Sequence, residues 1–201
     1  MRLVQPRAAR RRSIVLSLAC LAAAAAFAAE PARLHVGRPA PDFSLPGSDG
    51  ATHSLAQAGS AKGTVVIFLS TRCPVSNAYN DRMAEIASRY QPQGVRFLGV
   101  DANKEETPAE IASHAKSHNW SFPVLKDAGN KVADLYGASV TPEVFLIDPS
   151  GALRYHGRID DSQDPEGVKS RDLGEALDAL LAGREIQHKE AKAFGCSIKR
   201  G

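Results

Sequence analysis

Apolar and polar positions along this chain switch between two periods. Residues 29–40 form an extended lead-in without a clear repeat, and 41–45 (PDFSL) followed by PGSDG predict a short strand and a turn. Residues 64–70 (TVVIFLS) are an unbroken β-branched and aromatic run after Gly63, the pattern of a strand buried on both faces. From Pro74 to about Tyr90, apolar or small residues fall at 75, 79, 83, 86 and 87, which is helical spacing. Residues 95–100 (VRFLGV) predict a second buried strand. Thr107-Pro108-Ala109-Glu110 is a helix start, with a Thr cap, Pro at the first position and Glu closing a capping box. Residues 130–136 predict a short helix ending at Gly137, and 143–147 with 153–155, joined by DPSG, predict a hairpin. A last amphipathic helix over 171–181 stops at Gly183, and the tail 184–201 is polar and weakly patterned.

Strands alternating with helices and finishing in a hairpin predict an α/β fold: a mixed central sheet with helices on both faces. No repeat and no composition shift marks a second domain, so 29–183 is expected to form one domain with 184–201 as its tail. In such folds sites gather at the carboxyl ends of the parallel strands. Cys73 sits there, just past the strand ending at Ser70 and just before the helix beginning at Pro74.

Charge changes the picture at the N-terminus. The formal net charge is +3, but five arginines (Arg2, Arg7, Arg10, Arg11, Arg12) are the only charged residues of the first 28. Without them 20 basic residues face 22 acidic ones, and a net acidic body lacks the basic face that a nucleic-acid binder needs. The arginine-rich start, the apolar stretch 13–28 and small Ala26 and Ala28 at −3 and −1 predict a secretory signal peptide over 1–28. The stretch falls short of the roughly 20 residues that a spanning helix needs, so no membrane span is expected after cleavage. Removal of the signal takes Cys20 with it and leaves Cys73 and Cys196, in a periplasmic or secreted setting where disulfides persist.

A thiol reacts as its thiolate, and a helix N-terminus lowers a cysteine below its free value of about 8.5. The strand–Cys–Pro–helix setting therefore points to Cys73 as a reactive thiol on a rigid element. Several stretches then match a known family: Pro41-Asp42-Phe43-Ser44-Leu45, Val66-Ile67-Phe68-Leu69-Ser70, Cys73-Pro74 and Thr141-Pro142-Glu143-Val144-Phe145-Leu146-Ile147-Asp148. They resemble the redoxin branch of the thioredoxin-like fold, which holds AhpC/TSA-type antioxidant proteins and TlpA-like exported thiol-disulfide oxidoreductases. Tyr155-His156-Gly157-Arg158-Ile159-Asp160-Asp161, Arg171-Asp172-Leu173 and Gly195-Cys196-Ser197-Ile198-Lys199 are similar to a peroxiredoxin-like subgroup with a single Cys-Pro. The resemblance implies that Thr141-Pro142 is a cis-proline turn facing Cys73. It also implies a thiol-disulfide or peroxide substrate and an external thiol reductant.

The chain departs from these relatives at informative positions. Ser76 stands where thioredoxin-type enzymes place a second cysteine, so a mixed disulfide on Cys73 needs another thiolate to resolve it. Ser70 fills the Thr/Ser slot of the peroxidatic motif, whereas Val66 replaces its proline and Pro142 stands near its arginine, leaving Arg158 or Arg72 to take that task. Cys196 is the candidate partner of Cys73, provided the tail folds back. Asp160 and Asp161 could orient that tail, although an Asp pair more often marks a solvated loop. The expected site is thus Cys73, Cys196, Ser70, Thr141 and Pro142, with Ser76 and Arg158 near the substrate. No cofactor is expected, and His114 and His118 lack an adjacent third ligand. The resemblance favours a peroxiredoxin-like antioxidant role, while Ser76 and Pro142 favour disulfide exchange. A non-catalytic binding module or copper(I) metallochaperone is the alternative of a different class.

Overall fold

A computed structural model describes Met1 and residues 34–201, and the expected signal peptide over 1–28 lies outside the described residues apart from Met1. The central sheet has five strands. β3 (Gly63–Leu69) follows a small hairpin of β1 (Ser44–Pro46) and β2 (Thr52–Ser54). Two helices, α1 (Pro74–Asn77) and α2 (Asn80–Tyr90), lead to β4 (Val95–Asp101), then α3 (Pro108–Ser117) and β5 (Val124–Lys126). α4 (Lys131–Tyr136) and the two-residue β6 (Val140–Thr141) precede the hairpin of β7 (Glu143–Ile147) and β8 (Leu153–Gly157). α5 (Asp172–Leu181) and β9 (Cys196–Ser197) complete the chain.

The strand order is β5-β4-β3-β7-β8, with β3, β4 and β5 parallel and β7 and β8 antiparallel to their neighbours. Alternation along β3 assigns the two faces. Val65, Ile67 and Leu69 point into a core with Met83, Ala87 and Tyr90 of α2, Ile111 of α3 and Leu173 and Leu177 of α5. Val66 and Phe68 point the other way, toward Phe43, Leu55, Val132 and Tyr136, and Ile198 of the tail joins this second core. Every residue of β3 is buried, as its unbroken apolar run requires.

Two expectations are corrected. The helix expected over 74–90 is two helices, because the first turn is tied back to the preceding loop. Ser76 Oγ accepts the Ser70 N–H at 3.2 Å and Asn77 Nδ2 donates to the Thr71 carbonyl at 3.0 Å. Side chains that bond to nearby backbone compete with helix continuation in this way. Asp160 and Asp161 do not orient the tail. Asp160 receives Arg82 Nη1 at 2.6 Å, and Asp161 accepts the N–H groups of Lys169 and Ser170.

Candidate active site

Register brings the site together. On the parallel pair Leu69 lies opposite Asp101, and Asp101 lies opposite Lys126, so the loops leaving β3, β4 and β5 emerge side by side. β7 runs the other way with Phe68 opposite Glu143, which places its start, and the cis Thr141–Pro142 peptide before it, at the same edge.

Cys73 caps α1. Its Sγ accepts the Ser76 N–H at 3.3 Å and lies 3.5 Å from the carbonyl oxygen of Thr141. α1 is only four residues long, so the donor reaching the sulfur, rather than a long helix dipole, is what favours negative charge there. Ser70 Oγ accepts the N–H of Cys73 at 3.0 Å and that of Arg72 at 3.2 Å, holding the loop in a tight bend. Cys73 and Cys196 form a disulfide with a Cα–Cα distance of 6.0 Å, and Cys73 is only 5% exposed. A cavity of about 190 Å³ adjoins the two sulfurs, with Ser70, Asn103, Glu106, Thr141 and Lys199 in its wall.

The tail docks through its backbone. β9 pairs with β6, Thr141 opposite Cys196 and Val140 opposite Ser197. Ile198 N–H donates to the Ser139 carbonyl at 3.0 Å, Lys199 N–H to Asn103 Oδ1 at 2.9 Å, and Lys104 N–H to the Lys199 carbonyl at 2.9 Å. Farther along, Arg200 donates to Asp134 Oδ1 and to the Ala138 carbonyl. Glu143 braces the strand that receives the tail. Its Oε2 accepts the N–H groups of Ser139 and Val140, and His156 Nε2 lies 2.7 Å from its Oε1. Burial alone would raise the Glu143 carboxyl, but the His156 contact and the two backbone donors outweigh burial and hold it below its ordinary value.

Of the seven site residues read from the sequence, the structure brings Cys73, Cys196, Ser70, Thr141 and Pro142 to one place. Ser76 is fully enclosed, bracing Ser70 rather than facing open space. Arg158 is held elsewhere, its Nε 2.9 Å from Asp172 Oδ2, and Arg72 Nη2 is paired with Glu110. Neither guanidinium contacts the Cys73 sulfur among the described hydrogen bonds.

A pair of carboxylates that sequence reasoning missed is tied to the loop that carries Cys73. Asp101 is fully buried, with Lys126 Nζ 3.1 Å from its Oδ1, and Glu106 accepts from Ser70 Oγ at 2.5 Å and from Thr71 N–H and Oγ1 at 2.6 Å each. Burial, then the bond to and charge of Glu106, push Asp101 up to about 8 despite Lys126. Burial also opposes charge on Glu106, but its bonds to Asp101, Ser70 and Thr71 hold it below its ordinary value. The signal was present as Asp101, Asn103 and Glu106 following the strand at 95–100, yet charged residues after a strand ordinarily mark a solvated loop.

A five-stranded mixed sheet carrying a cysteine beyond its central parallel strand and a cis-proline turn opposite it defines a redoxin of the thioredoxin-like superfamily. The AhpC/TSA family model matches residues 36–156, and the chain belongs to that family. Thiol-disulfide oxidoreductase ResA from Geobacillus thermodenitrificans is 32% identical over 128 residues, covering 64% of this chain and 72% of the relative. Among solved structures, a hypothetical protein from Sinorhizobium meliloti 1021 superposes with a TM-score of 0.79 at 34% identity, covering 84% of this chain and 96% of that one. An uncharacterized conserved protein from Geobacillus kaustophilus gives the same score at 31% identity, covering 85% and 94%. Among the described residues, no helix is long and apolar enough to cross a membrane.

Proposed function

We propose that this protein is an exported thiol-disulfide oxidoreductase whose redox couple is Cys73 and Cys196. The observation that carries the reading is their disulfide, formed across 123 residues of chain at the cis-proline edge of the sheet. The ResA relative, named a thiol-disulfide oxidoreductase, supports the same chemistry. Export is inferred from the arginine-rich and apolar pattern of the first 28 residues, and it suits a stable disulfide.

In the oxidising direction, two thiols of a substrate reduce the Cys73–Cys196 bond. One thiolate attacks a sulfur to give a mixed disulfide, and the second thiolate displaces it. Two electrons and two thiol protons pass to the protein. In reverse, the Cys73 thiolate attacks a substrate disulfide, and the Cys196 thiolate resolves the mixed disulfide. Cys196 thus supplies the second thiol that Ser76 cannot. Ser70 bends the loop that presents Cys73, the Ser76 N–H favours its thiolate, and the backbone of Thr141 faces the sulfur.

Disulfide exchange is favoured over peroxide reduction because Arg72 and Arg158 are both paired with carboxylates. Stopped-flow measurement with reduced protein decides between them. A model disulfide is expected to oxidise the protein faster than equimolar hydrogen peroxide does, and the opposite ranking overturns the assignment.

A further inference from the structure

Cys73 and Cys196 stand on separate segments, and one pair of buried carboxylates reaches both. Glu106 accepts three hydrogen bonds from Ser70 and Thr71, and Ser70 Oγ in turn accepts the N–H of Cys73. On the other side, Asp101 Oδ1 accepts the Asn103 N–H at 2.9 Å, and Asn103 Oδ1 accepts the N–H of Lys199, three residues past Cys196. Three of the four carboxylate oxygens therefore have donors. The fourth, Asp101 Oδ2, is buried without one, and the Asp101 and Glu106 side chains are close enough to interact. Two ionised carboxylates in contact repel, and a buried acceptor without a donor is costly. One proton on Asp101 Oδ2, donated to Glu106, removes both penalties.

We propose that Asp101 and Glu106 are positioning residues of the Cys73–Cys196 couple, sharing one proton and in that state clamping both sulfur-bearing segments together. The assignment rests on the redox reading above. The charged and titratable groups facing the pair are Lys126 from β5, Arg72 from the Cys73 loop, His114 from α3, and Glu105 and Lys199 at the cavity. Lys126 offsets one negative charge of the pair. Losing the shared proton adds a second negative charge close to the Cys73 loop and opposes ionisation of the sulfur. The carboxylates take no part in electron transfer. With glutathione disulfide as oxidant, the protein dithiol becomes the internal disulfide and two glutathione thiols form, so two electrons and two protons leave the protein.

The test pairs two readouts on the full chain. In the first, reduced protein is alkylated with iodoacetamide across pH 5–10. Wild type is expected to show two ionisations in the Cys73 rate. Asp101→Asn, whose amide can donate to Glu106 permanently, is expected to show one. Superimposable profiles overturn the shared proton, and a purely structural role would lower stability without changing the number of ionisations. In the second, Glu106→Gln equilibrated in glutathione buffers is expected to make the internal disulfide about tenfold easier to reduce, a rise of about 30 mV. If that variant does not fold, Ser70→Ala removes the hydroxyl that joins Glu106 to the Cys73 N–H, and Asn103→Ala removes the amide that joins Asp101 to the tail. Each is expected to shift the same constant by at least about threefold, and unchanged constants overturn the clamp. Wild type that never closes the internal disulfide defeats the redox reading itself. Wild type that cycles while every variant matches it defeats only the carboxylate assignment.

Discussion

Gly195 lies against the carbonyl of Thr141 so closely that a β-carbon at position 195 would overlap the Thr141 oxygen. No flexible side chain can yield there, because both obstructing atoms are backbone. The residue before Cys196 must therefore be glycine for β9 to reach β6 and for the two sulfurs to meet. Gly195→Ala is expected to undock the tail, and quantitative thiol labelling should show Cys73 and Cys196 both free under conditions that fully oxidise wild type. A normal disulfide in the variant would show that the tail docks by another route.

Resolution by Cys196 predicts a trapped intermediate. Cys196→Ser should accumulate Cys73 joined to glutathione after exposure to glutathione disulfide, at least tenfold longer-lived than in wild type. Intact-mass spectrometry follows the adduct directly. Rapid loss of the adduct without added thiol would remove Cys196 from the cycle.

The same bond constrains the unfolded chain. Closing a loop of this length contributes about 5 kcal/mol in the chain-entropy model, so urea denaturation under reducing conditions should show a markedly lower midpoint. Ile198, buried in the second core, keeps a noncovalent hold on the tail. Ile198→Ala is expected to cost about 2–4 kcal/mol and to raise the labelling rate of reduced Cys73.

Stability against pH separates the buried carboxylates. Asp101 keeps its proton up to about 8 in the folded chain but ionises near 3.8 when unfolded. The folded state then binds more protons between these values, so this contribution is complete below pH 3.8 and is lost as pH rises toward 8. Glu106 and Glu143 are held below their ordinary value of 4.5, and their contribution is lost on acidification through that region. Melting temperatures from pH 5 to 9 should fall in wild type and fall less in Asp101→Asn. Parallel curves would contradict the assignment.

Away from the cysteines, Arg82 joins α2 to the loop after β8. Its guanidinium donates to Asp160 Oδ2 and the Ser162 carbonyl at 2.6 Å, and lies 3.8 Å from the centroid of the Tyr79 ring. Arg82→Met removes the cation paired with buried Asp160, at a cost of about 3–5 kcal/mol. Arg82→Met/Asp160→Asn is expected to recover part of that loss in denaturant titrations.

Local pattern determined a large share of this protein. The apolar run of β3, the box that starts α3 and the Leu repeat of α5 each specify their element, because burial and capping act on neighbouring residues. Strand, cysteine and proline in succession likewise place Cys73 at the sheet's carboxyl edge, whereas only the family resemblance implied that Thr141-Pro142 is the turn opposite it. Tertiary structure alone decided that a docked tail and a buried carboxylate network surround the sulfur. β6 and β9 have two residues each, too few for any period, and they exist because backbone groups of the tail find partners on a distant loop. Asp101, Asn103 and Glu106 look like a solvated loop in one dimension. They become a buried network only when parallel strands set Asp101 opposite Leu69 and the tail closes over them. Contacts of that kind depend on register between segments far apart in sequence, which no local spacing encodes.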